Sequence, residues 1–329
     1  MIDEDVDLDG LPLSVQASLG YVLAGEDGND LDTLLQRADV AMYAAKARHA
    51  GVLRYDSAFD NYDAAQLSLI GELRHAIDDE QLVLHYQPQS LFEDGRVASV
   101  EALVRWQHPI HGLLYPDKFL PLAEQTDVID KLTSWVLRTA LSEISNLGAG
   151  TPDPPKLSVS VNVSARSIGR MELAQEVIDT LERFDVPAER LTIEVTETAL
   201  LVDPKSASAV LERLALVGVR ISLDDFGQGQ TSLGYLSELP IHELKIDKGF
   251  VMDMLENDAH AAIVRSIIDL GHNLDLQVVA EGIETVDVLA SLHAARCDLA
   301  QGYFIARPMP LERLAAWVPV PTPSESPVA

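Results

Sequence analysis

Six side chains with oxygen donors lie within or directly after apolar segments that have the pattern of β-strands. They are Glu101, Asn162, Glu194, Asp224, Asp225 and Glu281. Carboxylates gathered in one place repel each other unless a cation neutralises them. Because no His or Cys ligand spacing accompanies these oxygens, the set favours Mg²⁺ or Mn²⁺ over zinc. Six ligands are generous for one Mg²⁺, so we predict two ions that share an aspartate, an arrangement suited to phosphoester hydrolysis.

Other polar residues occupy similar positions. Gln87 follows the first apolar run, and Gln301 lies near the start of the last one. Lys245 lies within a short apolar run that ends in Asp247. Taken alone, Lys245 is more typical of a solvated lysine, and Asp247 could equally form a structural salt bridge.

The segments that would position these residues alternate with helical patterns. The strand candidates are Leu82–Tyr86, Val97–Val104, Leu157–Val163, Leu191–Val195, Val219–Leu223, Glu243–Ile246, Leu276–Ala280 and Leu299–Ile305. The helix candidates are Leu132–Ser145, Met171–Phe184, Ser206–Val217, Ala259–Gly271 and Val286–Ala294. An open doubly wound sheet is the alternative, but the strand number and a span of roughly 250 residues favour an α/β barrel. In such a barrel the C-terminal strand ends converge on one face, so the carboxylates would meet there.

The first part of the chain has a different organisation. Residues 1–56 contain a strand candidate at Leu13–Val22, a helical pattern at Leu34–Arg48 and a short strand at Val52–Tyr55. About fifty residues are too few for a robust core of their own. We predict a small α+β fragment at residues 1–56, a linker at 57–65 and the barrel at 66–318. The Pro- and Ser-rich tail at 319–329 is predicted to be disordered.

Composition excludes several classes of partner. Of 329 residues, 24 are Lys or Arg and 52 are Asp or Glu, which gives a net charge of −28. This charge disfavours nucleic-acid and anionic-membrane binding, because both partners are polyanions. The single cysteine, Cys297, excludes an internal disulfide framework. No apolar run approaches the roughly 18 residues of a membrane helix, and we expect a cytoplasmic protein.

The same residues form an ordered set of motifs between residues 66 and 317. The set is Gln87-Pro88, Glu101–Trp106, Asn162–Ser164, Glu194–Glu197, Asp224–Gly227, Lys245–Asp247, Glu281–Glu284 and Gln301–Tyr303. Each motif alone is weak, but the ordered set resembles the EAL domain, a cyclic di-GMP phosphodiesterase module. The resemblance implies a modified TIM barrel whose first strand runs antiparallel to the others. It also implies a homodimer formed through the barrel.

The resemblance further implies a role for each site residue. Glu101, Asn162, Glu194 and Asp224 would hold a first Mg²⁺ or Mn²⁺, and Asp224 would bridge to a second beside Asp225. Glu281 would act at the second ion or through a water on it, and Lys245 would orient the attacking water. Arg105 and Gln87 would contact the substrate, Gln301 would position water or phosphate, and Glu197 would steady a loop. The implied reaction is metal-dependent hydrolysis of cyclic di-GMP to linear 5′-pGpG.

Two further features qualify this interpretation. Residues 1–55 resemble the C-terminal part of a GGDEF (diguanylate cyclase) domain, through Ser18–Gly20 and Leu34–Lys46, but they lack the signature GGDEF loop. After Gly227, the family usually continues Thr-Gly-Tyr/Phe, whereas this chain has Gln228–Gln230. This departure leaves open an alternative in which the barrel only senses cyclic di-GMP or serves as a protein scaffold.

Overall fold

The computed structural model describes residues 6–8, 11–13, 18–47, 50–57, 60–147, 157–227, 233–236 and 238–316. The chain divides into two compact units, Met1–Leu73 and Arg74–Ala329. The unusual segment at residues 228–232 and the tail at 319–329 lie outside the described residues. None of the helices within the described ranges is long and apolar enough to cross a membrane.

The described part of the first unit contains two small sheets, one complete long helix and the start of a second helix that continues into the second unit. Its elements are β1 (Val6–Leu8), β2 (Leu11–Leu13), β3 (Leu19–Tyr21), α1 (Leu31–Ala47) and β4 (Val52–Arg54). Strands β1 and β2 pair antiparallel, and β3 pairs parallel with β4. Gly20 is required because a Cβ there would lie 2.1 Å from the backbone oxygen of Ala38 in α1. The helix and the last strand were predicted. The single strand predicted at Leu13–Val22 is wrong, because Leu13 ends β2 and only Leu19–Tyr21 of the other described residues in this range form a strand.

The second unit is a closed barrel. Its strands are β5 (Leu82–Leu91), β6 (Val97–His108), β8 (Ser158–Asn162), β9 (Leu191–Thr196), β10 (Arg220–Phe226), β11 (Glu243–Ile246), β12 (Gln277–Ala280) and β13 (Leu299–Ala300), and the short β7 (Gly112–Leu114) pairs with the end of β6. Strand β7 pairs antiparallel with β6, whereas β6, β8, β9, β10, β11, β12 and β13 pair in parallel, each with the next in this order. Strand β5 pairs antiparallel with both β6 and β13 and thereby closes the barrel. The predicted eight-stranded α/β barrel with one antiparallel strand is confirmed.

Helices accompany the strands along the chain. Helix α2 (Asp60–Asp78) precedes β5, and the later helices are α3 (Pro116–Ala123), α4 (Val128–Asn146), α5 (Ala165–Ile168), α6 (Met171–Phe184), α7 (Glu197–Val202), α8 (Pro204–Leu216), α9 (Leu233–Leu236), α10 (Lys248–Asp253), α11 (Asp258–Asn273), α12 (Val286–Ala294) and α13 (Leu311–Leu314). Helix α6 shows why these segments are helical. Leu173, Val177 and Leu181 recur every fourth residue and are buried, and the helix ends at Asp185 in the left-handed conformation.

The last predicted strand is the main difference from expectation. Leu299–Ile305 was predicted as one strand, but β13 ends at Ala300. The chain turns because the Gln301 carbonyl accepts from the Ile283 amide at 3.1 Å, and Phe304 N donates to the Ile283 carbonyl at 2.9 Å. Gly302 permits this approach, since a Cβ there would lie 2.2 Å from the Ile283 oxygen. This turn leaves Gln301 at the mouth of the barrel.

Candidate active site

The predicted site residues lie where the parallel strands end. Strand register places Asn162 of β8 opposite Glu194 of β9, and Glu194 opposite Ser222 of β10. Asp224 lies two residues further along β10 on the same face, and Glu281 directly follows β12. Because side chains alternate along a strand, these side chains all point toward the mouth of the barrel. The convergence expected from the sequence is therefore present.

Lys245 of β11 lies at the centre of this carboxylate group and is fully buried. Its Nζ is 2.7 Å from Glu281 Oε1, 2.9 Å from Glu194 Oε2, 3.2 Å from Asp224 Oδ1 and 3.7 Å from Glu101 Oε2. The four carboxylates come from four different places in the chain. One buried ammonium thus balances part of the negative charge that the fold concentrates here.

Burial and neighbouring charges shift the pKa values of Lys245 and of three of these carboxylates in different directions. Burial would lower the pKa of Lys245, but Asp224, Glu101 and the other carboxylates raise it well above its usual value. Burial also raises the pKa of Glu194 well above its usual value and that of Glu281 to about 8, in each case against the opposing effect of Lys245. For Glu101, burial is outweighed by Lys245 and by amide donors, so its pKa is lowered. Glu101 is therefore held as an anion, whereas Glu281 readily takes up a proton.

Side-chain amides hold Glu101 in place. Asn162 Nδ2 donates to Glu101 Oε1 at 2.7 Å, and Gln301 Nε2 donates to Glu101 Oε2 at 2.5 Å. Gln301 Nε2 also lies 3.3 Å from Gln87 Oε1, and its Oε1 accepts from Gln89 Nε2 at 2.8 Å. Strand β5, although reversed, thus contributes two glutamines to the same site. Both oxygens of Glu101 are fixed by donors from other segments of the barrel, one from β8 and one from the turn after β13.

A second group of oxygens lies beside the first. Carboxylate oxygens of Asp224, Asp225 and Glu281 lie within 4.8 Å of one another. Asp225 has a φ of 54°, in the left-handed region, which a short polar side chain tolerates better than most. Burial, with repulsion from Asp224 and Asp247, raises the pKa of Asp225 to about 6. Three carboxylates at this spacing form a candidate cation site.

The donor chemistry fits divalent ions. The donors are carboxylate and amide oxygens, as hard cations require. Glu194 Oε1 is buried and has no hydrogen-bond partner among the described residues, so it retains an acceptor that they leave uncompensated. On binding Mg²⁺ or Mn²⁺, these carboxylates would give up their contacts with Lys245 and would release any protons that they carry.

The remaining predicted residues lie nearby or support the site. Arg105 of β6 is buried, its Nη1 donates to the Val104 carbonyl at 2.8 Å, and its guanidinium lies 5.1 Å from the Tyr115 ring centroid. Within the part of the chain that the structure describes, Arg105 Nε has no hydrogen-bond partner, and burial lowers the pKa of Arg105. Gln87 Nε2 donates to the Ala306 carbonyl at 3.1 Å. Glu197 is buried as the first residue of α7, directly after β9.

Sequence reasoning missed one contributor to the site and left a second one undecided. Gln89, which donates to Gln301, is fully buried and accepts from Ser99 Oγ at 2.5 Å. Its position two residues after Gln87 places both on one face of β5, and this alternation was the available signal. Asp247, left undecided by the sequence, accepts from Gly249 N at 2.8 Å and caps α10 while facing Asp225. Its observed role is to order the chain next to the second oxygen group.

Comparison with known proteins identifies the family. A model described as "EAL domain" matches residues 70–308. The chain belongs to the EAL domain family. The acidic cluster of this EAL domain agrees with the metal dependence of EAL phosphodiesterases.

Two curated relatives come from Pseudomonas aeruginosa. Cyclic di-GMP phosphodiesterase NbdA is 42% identical over 312 residues, which cover 94% of this chain and 40% of the relative. The bifunctional diguanylate cyclase/cyclic di-GMP phosphodiesterase MucR is 41% identical over 306 residues, covering 92% of this chain and 44% of the relative. This chain therefore spans less than half the length of either relative.

A solved structure of the PaMucR phosphodiesterase in complex with cyclic di-GMP resembles this EAL domain. The two superpose with a TM-score of 0.71 at 42% identity. The match covers 75% of this chain and 99% of that chain. The barrel architecture is thus shared almost completely with that phosphodiesterase.

Proposed function

We propose that this EAL domain hydrolyses cyclic di-GMP to linear 5′-pGpG. The observation that carries the proposal is the buried Lys245, whose ammonium lies within 3.7 Å of carboxylates from four parts of the barrel. The name of NbdA and the ligand of the PaMucR structure support the choice of substrate. An oxygen-rich, negatively charged mouth suits a reaction at a phosphodiester that divalent ions assist.

The proposal includes two ions of Mg²⁺ or Mn²⁺. Glu101, Asn162, Glu194 and Asp224 would hold the first, and Asp224, Asp225 and Glu281 would hold the second. When bound, the two ions would lower the pKa of the attacking water and stabilise the developing charge on the phosphate. The 4.8 Å grouping of Asp224, Asp225 and Glu281 supports the second position.

The side chains of the chain itself then orient the reaction. Lys245 would align the water and offset charge on the phosphate, while Glu281 would accept a proton from the water. Arg105 and Gln87 would hold the substrate, and Gln301 would position water or phosphate next to Glu101. The water oxygen bonds to phosphorus, the bond from phosphorus to the 3′ oxygen breaks, and that oxygen takes up a proton.

Hydrolysis can be tested directly with the purified chain. Cyclic di-GMP is incubated with Mg²⁺ or Mn²⁺, and the products are separated by liquid chromatography, with EDTA as the metal-free reference. We expect 5′-pGpG with either ion and none with EDTA. Glu101→Gln should abolish the product, whereas Glu182→Gln, at an exposed position on α6, should not. Absence of 5′-pGpG under both ions would overturn the proposal.

A catalytically weak or inactive sensor is the second candidate. The observation that favours it is the departure at Gln228–Thr231, directly after the Asp224–Gly227 motif. Tight binding of cyclic di-GMP without turnover would support a sensor, and robust turnover would exclude it. A protein scaffold that ignores the nucleotide would show no heat of binding in a calorimetric titration with cyclic di-GMP.

The N-terminal unit has a proposed origin of its own. We propose that residues 1–56 are the C-terminal remnant of a GGDEF domain, joined by a linker at 57–65 to the barrel at 66–318. The alignment with bifunctional MucR supports this, because it covers 92% of the chain and so extends beyond the matched EAL region. Since the GGDEF loop is absent from these residues, incubation with GTP should yield no cyclic di-GMP.

The assembly is also a proposal. We propose that the barrel forms a homodimer. Sedimentation equilibrium of the purified chain should give a mass near twice 35.9 kDa. A monomer at all concentrations would contradict it.

A further inference from the structure

A second polar layer lies beneath the carboxylates, in the floor of the barrel. Glu243 precedes Lys245 by two residues on β11, so both side chains point to the same face of the strand. Strand register places Ser222 of β10 opposite both Glu243 and Glu194. Glu194, Ser222 and Glu243 therefore form one layer across three adjacent strands. We refer to Ser222 and Glu243 as the floor pair.

The floor pair carries unused hydrogen-bonding capacity. Among the described residues, Ser222 Oγ and Glu243 Oε1 are buried without a hydrogen bond of good geometry, and Glu243 is only 4% exposed. The Ser222 side chain is nevertheless close enough to oppose the rise in the pKa of Glu243. A buried carboxyl with an unpaired oxygen is costly, so its presence calls for a physical explanation. Arg220, a cation close enough to act on Glu243, already donates from its Nη2 to Gln277 Oε1 at 2.9 Å. Glu243 thus has an acceptor that the described contacts leave unengaged.

Lys245 is the cation that could pair with the free oxygen of the Glu243 carboxyl. Its Nζ contacts Glu194 Oε2 at 2.9 Å, and Glu194 lies in the layer of the floor pair. The charge of Lys245 also acts on Glu243, whose pKa is nevertheless raised because burial dominates. The ammonium therefore contacts the layer that contains Glu243 through Glu194, and it also contacts Glu101, Asp224 and Glu281.

Cation binding would remove the present partners of Lys245. Glu101, Glu194, Asp224 and Glu281 all contact its ammonium, and all four are among the proposed metal ligands. A buried ammonium that loses its counter-charges is strongly unfavourable unless another anion replaces them. Glu243 is the carboxyl of the floor layer that the proposed ions would leave unoccupied.

We propose that Glu243 is a positioning residue that holds Lys245 from below when divalent ions engage the carboxylates above. This inference rests on the metal binding contained in the proposed function. Glu243 itself touches neither substrate nor ion. It acts by supplying the counter-charge that lets Lys245 release the mouth carboxylates while remaining in the site.

Binding of Mn²⁺ to the substrate-free protein tests this role without any turnover. Isothermal titration calorimetry compares wild type, Glu243→Gln, Lys245→Met and the double variant. We expect Glu243→Gln to weaken Mn²⁺ binding by about tenfold, within the usual range of coupling between sites. In the Lys245→Met background the same change should alter affinity by less than about twofold, because the residue through which Glu243 acts is gone. Glu256→Gln, an exposed charge change, should leave Mn²⁺ binding unaltered.

Two results would overturn the inference. One is an unchanged Mn²⁺ affinity in Glu243→Gln. The other is an equal loss with and without Lys245, which would mean that Glu243 contributes only general negative charge. If Glu243→Gln does not fold, Glu243→Asp replaces it, because this change keeps the charge but shortens the side chain. Its Mn²⁺ affinity is then compared with and without Lys245→Met, and the same two results would overturn the inference. A wild-type chain that binds Mn²⁺ but leaves cyclic di-GMP intact would contradict the proposed hydrolysis, while the cycle would still decide the role of Glu243.

Discussion

Lys245 Nζ lies 2.7 Å from Glu281 Oε1, and the two residues belong to neighbouring segments of the barrel mouth. Lys245 is fully buried, whereas the Glu281 side chain is 16% exposed. The contact therefore connects the buried interior of the barrel with its solvent-facing rim. Several expected properties of the site follow from this arrangement.

Removal of the buried ammonium should make folding depend on metal. Lys245→Met leaves the carboxylates around it without their cation, so the metal-free protein should lose about 3–5 kcal/mol of stability. Mn²⁺ should restore much of this loss, so the rise in Tm on adding Mn²⁺ should exceed that of wild type. Differential scanning calorimetry with and without Mn²⁺ measures both values, and Lys205→Met, an exposed substitution in α8, is the control. Equal Mn²⁺-induced shifts in the two variants and wild type would contradict the expectation.

Stability and metal binding should vary with pH in opposite directions. Glu281 has a pKa raised from 4.5 to about 8 in the folded metal-free protein. A raised pKa contributes stability that is complete below pH 4.5 and is lost as the pH rises through about 8. Because a divalent ion competes with the same proton, Mn²⁺ affinity should increase over this range. Calorimetry in buffers of different ionisation enthalpy should show proton release near neutral pH, and Glu281→Gln should reduce it.

Arg105 should act mainly on substrate binding. Arg105→Lys keeps the charge but loses the planar guanidinium that stacks on Tyr115. We expect KM for cyclic di-GMP to rise by about tenfold, with a smaller change in kcat. Arg96→Lys, at an exposed arginine paired with Asp94, is a matched control and should leave both constants unchanged. A fall in kcat at constant KM would instead place Arg105 in the chemical step.

Gly302 should be intolerant of a side chain. An alanine Cβ would lie 2.2 Å from the Ile283 oxygen, so Gly302→Ala should destabilise the fold by about 1–3 kcal/mol. It should also lower kcat, because the displaced turn carries Gln301. Gly71→Ala, in a helix with nothing within 4 Å of the added carbon, should be neutral or stabilising by up to about 1 kcal/mol. Chemical denaturation of both variants measures the difference, and similar effects at the two positions would refute the role of the turn.

Much of the barrel could be predicted from the sequence, because the hydrophobic periodicity of each strand and helix is a property of neighbouring residues. Glu243–Ile246, Met171–Phe184 and Val286–Ala294 were predicted with the limits that the structure shows. The short helices α5, α7 and α10 were missed, since each begins close after a strand end and is too short for a recognisable period. The strand beyond Ala300 was wrong because the turn depends on Ile283, a distant residue.

The sequence predicted which residues form the site but not which side chains contact each other there. Six oxygen-bearing residues were expected together, and the structure gathers them at one mouth. The position of Lys245 among four carboxylates could not be read from spacing, because it depends on side-chain reach across three strands. Glu243 was missed because a glutamate in a short strand is ordinarily solvent-facing. The roles of these residues in catalysis stay predictions until the variants are measured.

The central position of Lys245 has a consequence for how the protein matures. Small zinc domains remain unfolded until their ion arrives, because nothing else balances their ligands. Here the ammonium balances the carboxylates from within, so we expect the barrel to fold first and to acquire its ions later. The supply of divalent ions would then set the fraction of active molecules without altering the yield of folded protein.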